Sequence, residues 1–312
     1  MTKATNKSKP PIFRDALGIL HSNKNLARSV LQAFNDLDDV QIAQLKKTWT
    51  TLSPERRILF ASKLRDLNEE EFEFDFRTIF YFLLTDEIDE VRLASVEGLY
   101  DDTHIRLIDP YVTMLREDPS TYVRAAVATA LGNFMMLGEL EEIPQRRRDQ
   151  VYSALMGAIA FTPHNSVLYA RLIESIGYVT NEETVRLIRE AAASENETLR
   201  LSALSAIANS NDAMYQDIAR ANLHSDSVEI RLEAVRACGS IEAAEAIPEL
   251  AKLISDPELD VRLSAIEALL EIGTDDAKAA LRLASHSKDQ DVASAAEDAL
   301  DELDLLDNGL KL

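Results

Sequence analysis

Asp256-Pro257-Glu258-Leu259-Asp260-Val261-Arg262-Leu263-Ser264-Ala265-Ile266-Glu267-Ala268-Leu269-Leu270 decides the fold. Asp-Pro is turn chemistry, and the residues after it have the spacing of an amphipathic helix. Val261, Ala265, Ala268 and Leu269 fall on one face, at positions zero, four, seven and eight. The small residues at four and seven let a neighbouring helix come close.

Working outward, the same pattern recurs. Val-Arg stands at Val91-Arg92, Val123-Arg124 and Val261-Arg262, with the variants Leu199-Arg200 and Ile230-Arg231 and degenerate copies at Leu168-Tyr169 and Val292-Ala293. The anchors Leu168, Leu199, Ile230, Val261 and Val292 are each 31 residues apart. A fixed period of this length marks a solenoid, in which each unit packs only on its neighbours. The period fails once: Val123 to Leu168 is 45 residues, and 45 − 31 leaves 14 extra near positions 135–150. An insertion in such an array maps to a loop or a helix extension on one face.

Composition agrees with an all-α chain. The 312 residues include only 9 Gly and 9 Pro, against 46% hydrophobic residues rich in Leu and Ala. The net charge of −21 repels phosphate backbones, so general nucleic-acid binding is disfavoured. Cys238 is the single cysteine and falls at an aliphatic position of the pattern, so it reads as a buried small hydrophobe. No apolar run reaches spanning length and no secretory signal is evident in the first residues, so the chain reads as soluble and cytoplasmic, with a monomer favoured.

The start of the chain lacks the pattern. Residues 1–11 read as a disordered tail, and residues 12–71 as an atypical helical N-terminal cap. Within the cap the expected helices run over 12–21, over 25–37, from Asp38 or Asp39 to about Thr50, and from Ser53-Pro54 to about Leu67. A helix from about Phe72 to Leu84 opens the array of 72–312, about seven helix pairs. First helices are expected near 104–117, 147–161, 182–194, 213–224, 244–255 and 275–286. Asn308-Gly309 suits a helix stop, with a loose end beyond it.

The two-helix unit with Asp-Pro, Val-Arg and spaced Ala and Leu resembles the HEAT repeat. Its short form is similar to the bacterial subtype seen in phycobilisome-lyase-like HEAT proteins. The resemblance implies a right-handed α-solenoid of antiparallel helix pairs with second helices on the concave face. It also implies a scaffold or adaptor that grips another macromolecule. A chromophore lyase or lyase subunit is the alternative that the resemblance brings, and a nucleic-acid-associated protein is a weaker one.

An aspartate precedes the arginine by six residues at Asp86/Arg92, Asp118/Arg124 and Asp256/Arg262, which suits a charge ladder between stacked repeats. These arginines therefore read as structural. The inner face falls instead on positions three, six and ten: Ala94, Glu97 and Asp101; Ala126, Thr129 and Asn133; Arg171, Glu174 and Tyr178; Ser202, Ser205 and Asn209; Glu233, Arg236 and Ser240; Ser264, Glu267 and Glu271. From this ladder the candidate partner-binding residues are Arg171, Glu174, Tyr178, Ser202, Ser205, Asn209, Glu233 and Arg236. Aromatics and arginines are the usual anchors of an interface. Tyr169 and Tyr178 stand out because the repeat requires neither.

No enzyme motif accompanies the pattern. His21, His104, His164, His224 and His286 form no His-Glu dyad, the ligand pattern of di-iron HEAT hydroxylases. No phosphate-binding Gly-rich loop, Cys-x-x-Cys pair or Gly-x-Ser-x-Gly elbow occurs. Catalytic, cofactor and metal residues are assigned to none, and the partner expected is a protein. Arg146-Arg147-Arg148 is a lone basic cluster, read as a solvated helix start.

Overall fold

The computed structural model describes residues 12–22, 24–71, 73–307 and 309. Among them are eighteen α-helices and four 3-10 helices, and no strand. The expectations for residues 1–11 and for the end beyond Gly309 lie outside the described residues. The chain divides into two compact units, Met1–Ala130 and Leu131–Leu312.

The first unit begins with α1 (Phe13–His21), α2 (Arg28–Leu31), α3 (Asp39–Trp49) and α4 (Pro54–Glu70). Asp38 and Gln41 close a capping box on α3, and Ser53 caps α4 with Pro54 at its first position. The helix expected over 25–37 is broken: α2 has four residues and passes into a 3-10 turn, Gln32–Phe34. The reason is tertiary. Phe34 is fully buried between Phe13 and Phe60, with ring centroids 5.6 and 4.9 Å away. Next to it, Asp36 turns left-handed (φ 48°) and donates its N–H to the Asp75 carbonyl at 2.9 Å. Asn35 Oδ1 accepts the Asp75 N–H at 2.6 Å.

That tie also corrects the helix expected from Phe72. Phe72 is outside the described residues, residues 73–76 are not helical, and α5 is Arg77–Leu83. Asp75 is bonded to the 35–36 turn, and its carboxylate accepts from the Arg77 N–H instead of entering the helix. The unit continues with α6 (Asp89–Gly98), α7 (Ile108–Glu117) and the start of α8 (Thr121–Glu139).

The second unit takes up α8 and adds α9 (Gln145–Ile159), α10 (Val167–Ile176), α11 (Glu182–Ala192), α12 (Glu197–Ser210), α13 (Gln216–Asn222), α14 (Val228–Ser240), α15 (Ile247–Leu253), α16 (Leu259–Ile272), α17 (Asp275–Ala284) and α18 (Gln290–Asp307). The second helices α10, α12, α14, α16 and α18 pack each on the next, and each also packs on the first helix before it. The 135–150 insertion is a pair of helix extensions. α8 runs to Glu139, turns through Glu141 (φ 57°), and α9 starts at Gln145. The three arginines sit at the positive end of the α9 dipole. Arg148 there pairs with Glu139 at 2.7 Å, and Arg147 bonds Gln150 at 2.9 Å.

The four positions read from the sequence are the core. Val261, Ala265, Ala268 and Leu269 are 2% exposed or less, and Ile230, Ala234, Ala237 and Cys238 are fully buried. A further register emerges from the packing. Glycine at position nine faces the small residue at position seven of the next second helix. A Cβ on Gly177 would run into the Ala206 backbone, 2.6 Å from its Cα, and one on Gly239 would stand 2.9 Å from the Ala268 Cα. These contacts are backbone against backbone and cannot be relieved by a side-chain rotation. Gly177→Ala is therefore expected to destabilise the protein by about 1–3 kcal/mol, checked by urea unfolding. An unchanged midpoint would refute the close contact.

The charge ladder is present, with a pairing the sequence did not specify. Three of the arginines donate to the carbonyl of their own turn and to the carboxylate of the following one, whereas Arg124 donates to Leu115 O and Arg200 to Ser194 O and Glu195 O, each at 3.0 Å. Arg92 takes Asp86 O at 2.8 Å and grips Asp118 with two bonds of 2.7 and 2.8 Å. Arg231 takes Ser225 O at 2.9 Å and Asp256 at 2.9 and 3.0 Å. Arg262 takes Asp256 O at 2.8 Å and pairs with Asp289 at 3.2 Å. The aspartates also fold their own turns, as when Asp256 Oδ1 accepts the Glu258 N–H at 3.0 Å. Arg231 and Asp256 are nearly buried, their side chains 12% and 5% exposed. Removing one partner strands the other, which costs about 3–5 kcal/mol.

Burial pushes the Asp256 carboxyl up, but Arg231, the Glu258 N–H and Arg262 outweigh it and hold the group below its ordinary 3.8. A depressed carboxyl stabilises the fold above its unfolded value and loses that contribution as pH falls through the folded one. Asp256→Ala should lower stability by about 3 kcal/mol at neutral pH. The difference from the parent should shrink progressively below about pH 4, measured by denaturant unfolding at stepped pH. A pH-independent difference would argue against the ion pair as the cause.

Candidate protein-binding face

The candidate residues sit on three adjacent second helices of the second unit, and Glu174 and Glu233 join them. Glu174 leaves the surface of α10 and is mostly covered. Its Oε2 accepts from Arg171 Nη1 at 2.6 Å, and its Oε1 accepts from Ser202 Oγ of α12 at 2.7 Å. Its backbone carbonyl takes Asn209 Nδ2 at 3.2 Å. One helix further on, Glu233 of α14 accepts from Ser205 Oγ at 2.5 Å and pairs with Arg236 at 3.6 Å. Each glutamate thus spends one oxygen on a serine across the helix boundary and the other on an arginine of its own helix.

This arrangement separates two roles that the sequence reading merged. Ser202, Ser205 and Asn209 are joints between helices; Ser202 is 2% exposed, too covered to meet a partner. Arg171 and Arg236 are the outward groups, with side chains 44% and 58% exposed. Their glutamates hold them in place at i,i+3 spacing. Tyr178, just past the end of α10, is half-buried. Seven of the eight candidates thereby fall into two sets joined by hydrogen bonds and ion pairs, around Glu174 and around Glu233. The face offers positioned charge and hydrogen-bonding groups.

Further along, α16 presents Glu267 and Glu271. Glu271 lays its carboxylate over Gly239, in the space a Cβ there would need. Burial first, and Glu267 second, push its pKa up from 4.5. A carboxyl raised in this way destabilises the fold where it is charged, so the cost is present at neutral pH and absent below the ordinary value. Glu271→Gln should raise the thermal midpoint at neutral pH, with the gain vanishing below about pH 4.5, followed by thermal unfolding across pH. A gain that persists in acid would point to some other cause.

Other singled-out residues have structural places. Cys238 is buried, and burial pushes its thiol up to about 12, which leaves it protonated. His104 caps a turn by accepting the Arg106 N–H at 3.1 Å. Tyr169 lies away from the candidate face, 2% exposed and stacked on His164 with ring centroids 4.3 Å apart. Among the described residues no group of three or more His, Cys, Asp or Glu could hold a metal ion. No described helix is long and apolar enough to cross a membrane.

Sequence reasoning missed the serine–glutamate joints and the glycine at position nine. The glycine had a visible signal, since Gly132, Gly177 and Gly239 occupy the same position of their repeats. The joints had none, because serine and glutamate are ordinary residues of a helix surface.

Antiparallel helix pairs stacked second helix on second helix define a helical-repeat solenoid. Residues 217–301 match the family model described as HEAT repeats, so the repeats resemble those of HEAT proteins in the part of the chain where the 31-residue period is regular. The complex of CpcE and CpcF of phycocyanin lyase from Nostoc sp. PCC7120 is similar over 97% of this chain and 99% of that one, at 17% identity and a TM-score of 0.52. The E. coli protein YibA is similar over 90% of this chain and 99% of its own, at 15% identity and a TM-score of 0.50. At such identities the likeness establishes the fold alone. No curated protein sequence matches.

Proposed function

We propose that this protein is a cytoplasmic, non-enzymatic scaffold or adaptor that binds a protein partner along the second-helix face of α10, α12 and α14. The observation that carries this reading is the pair of exposed arginines, Arg171 and Arg236, each paired with a glutamate that is itself anchored to a serine of α12. Holding long side chains in place beforehand lowers the ordering cost of association. Spreading contacts over successive repeats then gives an extended ligand several weak anchors. A monomer that engages its partner along this face is the form the reading favours.

A second reading, a lyase subunit, is favoured by the near full-length likeness to the phycocyanin lyase complex of CpcE and CpcF. It also makes a protein the partner, but would require a bound pigment as well.

The test is co-purification from the native host with the parent and with Arg171→Ala/Arg236→Ala. Both arginines are exposed and both glutamates keep their serines, so helicity by circular dichroism should not change. A protein partner recovered with the parent should bind the double variant at least about tenfold more weakly, as expected for the loss of charge-assisted contacts at about 1.5–3 kcal/mol each. Equal recovery would remove this face from the interaction. A co-purifying pigment would favour the second reading.

A further inference from the structure

The charge ladder has a missing rung, and the gap is a cleft. In three repeats the residue after the anchor is an arginine that reaches an aspartate in the turn of the next repeat: Arg92 to Asp118, Arg231 to Asp256 and Arg262 to Asp289. In the repeat of α10 the arginine is replaced by Tyr169, and the aspartate of the next turn by Ser194. Tyr169 and Ser194 now line a cleft of about 210 Å³ together with His164, Asn165, Glu190 and Asn196. The arginine's own-turn acceptor is reassigned as well. Pro163 O, six residues before Tyr169, is taken by Ser166 Oγ at 2.7 Å, whereas the carbonyls six residues before Arg200 and Arg231 take those arginines.

The lining defines the chemistry. Ser194 Oγ accepts the Asn196 N–H at 3.1 Å, and Asn196 Oδ1 accepts the Leu199 N–H at 3.3 Å. Glu190 accepts from Arg186 at 2.9 and 3.0 Å in an exposed pair, which is readily shared. These oxygens already accept bonds, and the Ser194 and Glu195 carbonyls hold Arg200 Nη1 at 3.0 Å; a carboxylate oxygen or an amide oxygen can still take more than one donor. His164, exposed and stacked on buried Tyr169, adds an aromatic wall. Acceptors, one carboxylate and an aromatic face match a planar group that carries only donors, in a chain of net charge −21.

We infer that this cleft binds the guanidinium of an arginine side chain from a basic peptide segment of a protein partner, which takes the space that the repeat's own arginine fills elsewhere. Glu190 supplies the counter-charge, His164 the stacking surface, and Asn165 and Asn196 the remaining acceptors. A lysine ammonium fits less well, because it cannot stack on the imidazole or reach several acceptors in one plane. The site is separate from the face of Arg171 and Arg236 and does not depend on that face having a ligand.

The test titrates the full chain with capped arginine amide and a short arginine-bearing basic peptide. Binding is followed by the imidazole resonances of the five histidines and by calorimetry. The His164 resonance should move alone among the five, and capped lysine amide should bind several-fold more weakly. Glu190→Gln should weaken peptide binding about tenfold. Tyr169→Arg/Ser194→Asp restores the rung, so it should fold with an equal or higher thermal midpoint and no longer bind. Arg171→Ala/Arg236→Ala should leave the binding unchanged, which keeps this result distinct from the test of the second-helix face. No shift at His164, or undiminished binding by the Tyr169→Arg/Ser194→Asp variant, overturns the inference.

Discussion

The second helices of the second unit touch one another where side chains are smallest, and the architecture depends on that approach. Gly177 lies against the Ala206 backbone and Gly239 against Ala268, so the helices meet at a distance that even one extra methyl would disturb. Leu172, Ile173, Val235, Ile266 and Leu269 fill the space beside these contacts and are nearly dry. The contact recurs at α10–α12 and at α14–α16, and the second helices pack on one another at the other junctions too, so each repeat is held by its neighbours. No single repeat encloses a core of its own.

Close stacking also explains where polar groups can bond. Helices this near bring the Ser202 hydroxyl within reach of Glu174 and the Ser205 hydroxyl within reach of Glu233. At the turn edge the same spacing lets Arg231 span to Asp256 while keeping hold of its own turn. The buried rung contributes little net stability over a well-packed apolar substitute, because desolvating both ions offsets most of their attraction. Its effect is on register: a one-residue slip would leave a buried arginine unpaired. Where the rung is absent, at Tyr169 and Ser194, the register is kept by the apolar stripe of α10 and the stacking of Tyr169 on His164. Space opens at the edge in consequence.

Much of the candidate face could be read from position alone. Counting three, six and ten from each anchor selected Arg171, Glu174, Arg236 and Glu233, and these form two ion pairs, on α10 and on α14. Counting could not separate the exposed arginines from the buried Ser202, since exposure depends on how far the adjacent helix reaches over. It also passed over Ser194 and Glu190, which belong to a turn and to a first helix. They meet Tyr169 only because the repeats stack.

The sequence by itself determined the repeat: the 31-residue period, the helix pair, the stripe at zero, four, seven and eight, and the caps at Asp38 or Asp39 and at Ser53 are all local patterns, and local patterns obey helix geometry. Tertiary structure decided the rest. It broke the helix at Phe34, because burying that ring between Phe13 and Phe60 outweighed helix propensity. It delayed α5 to Arg77, because Asp75 is held by the turn forty residues earlier. It also chose which aspartate each arginine would grip. Distance through space sets these pairings, and a chain read in order does not carry that distance.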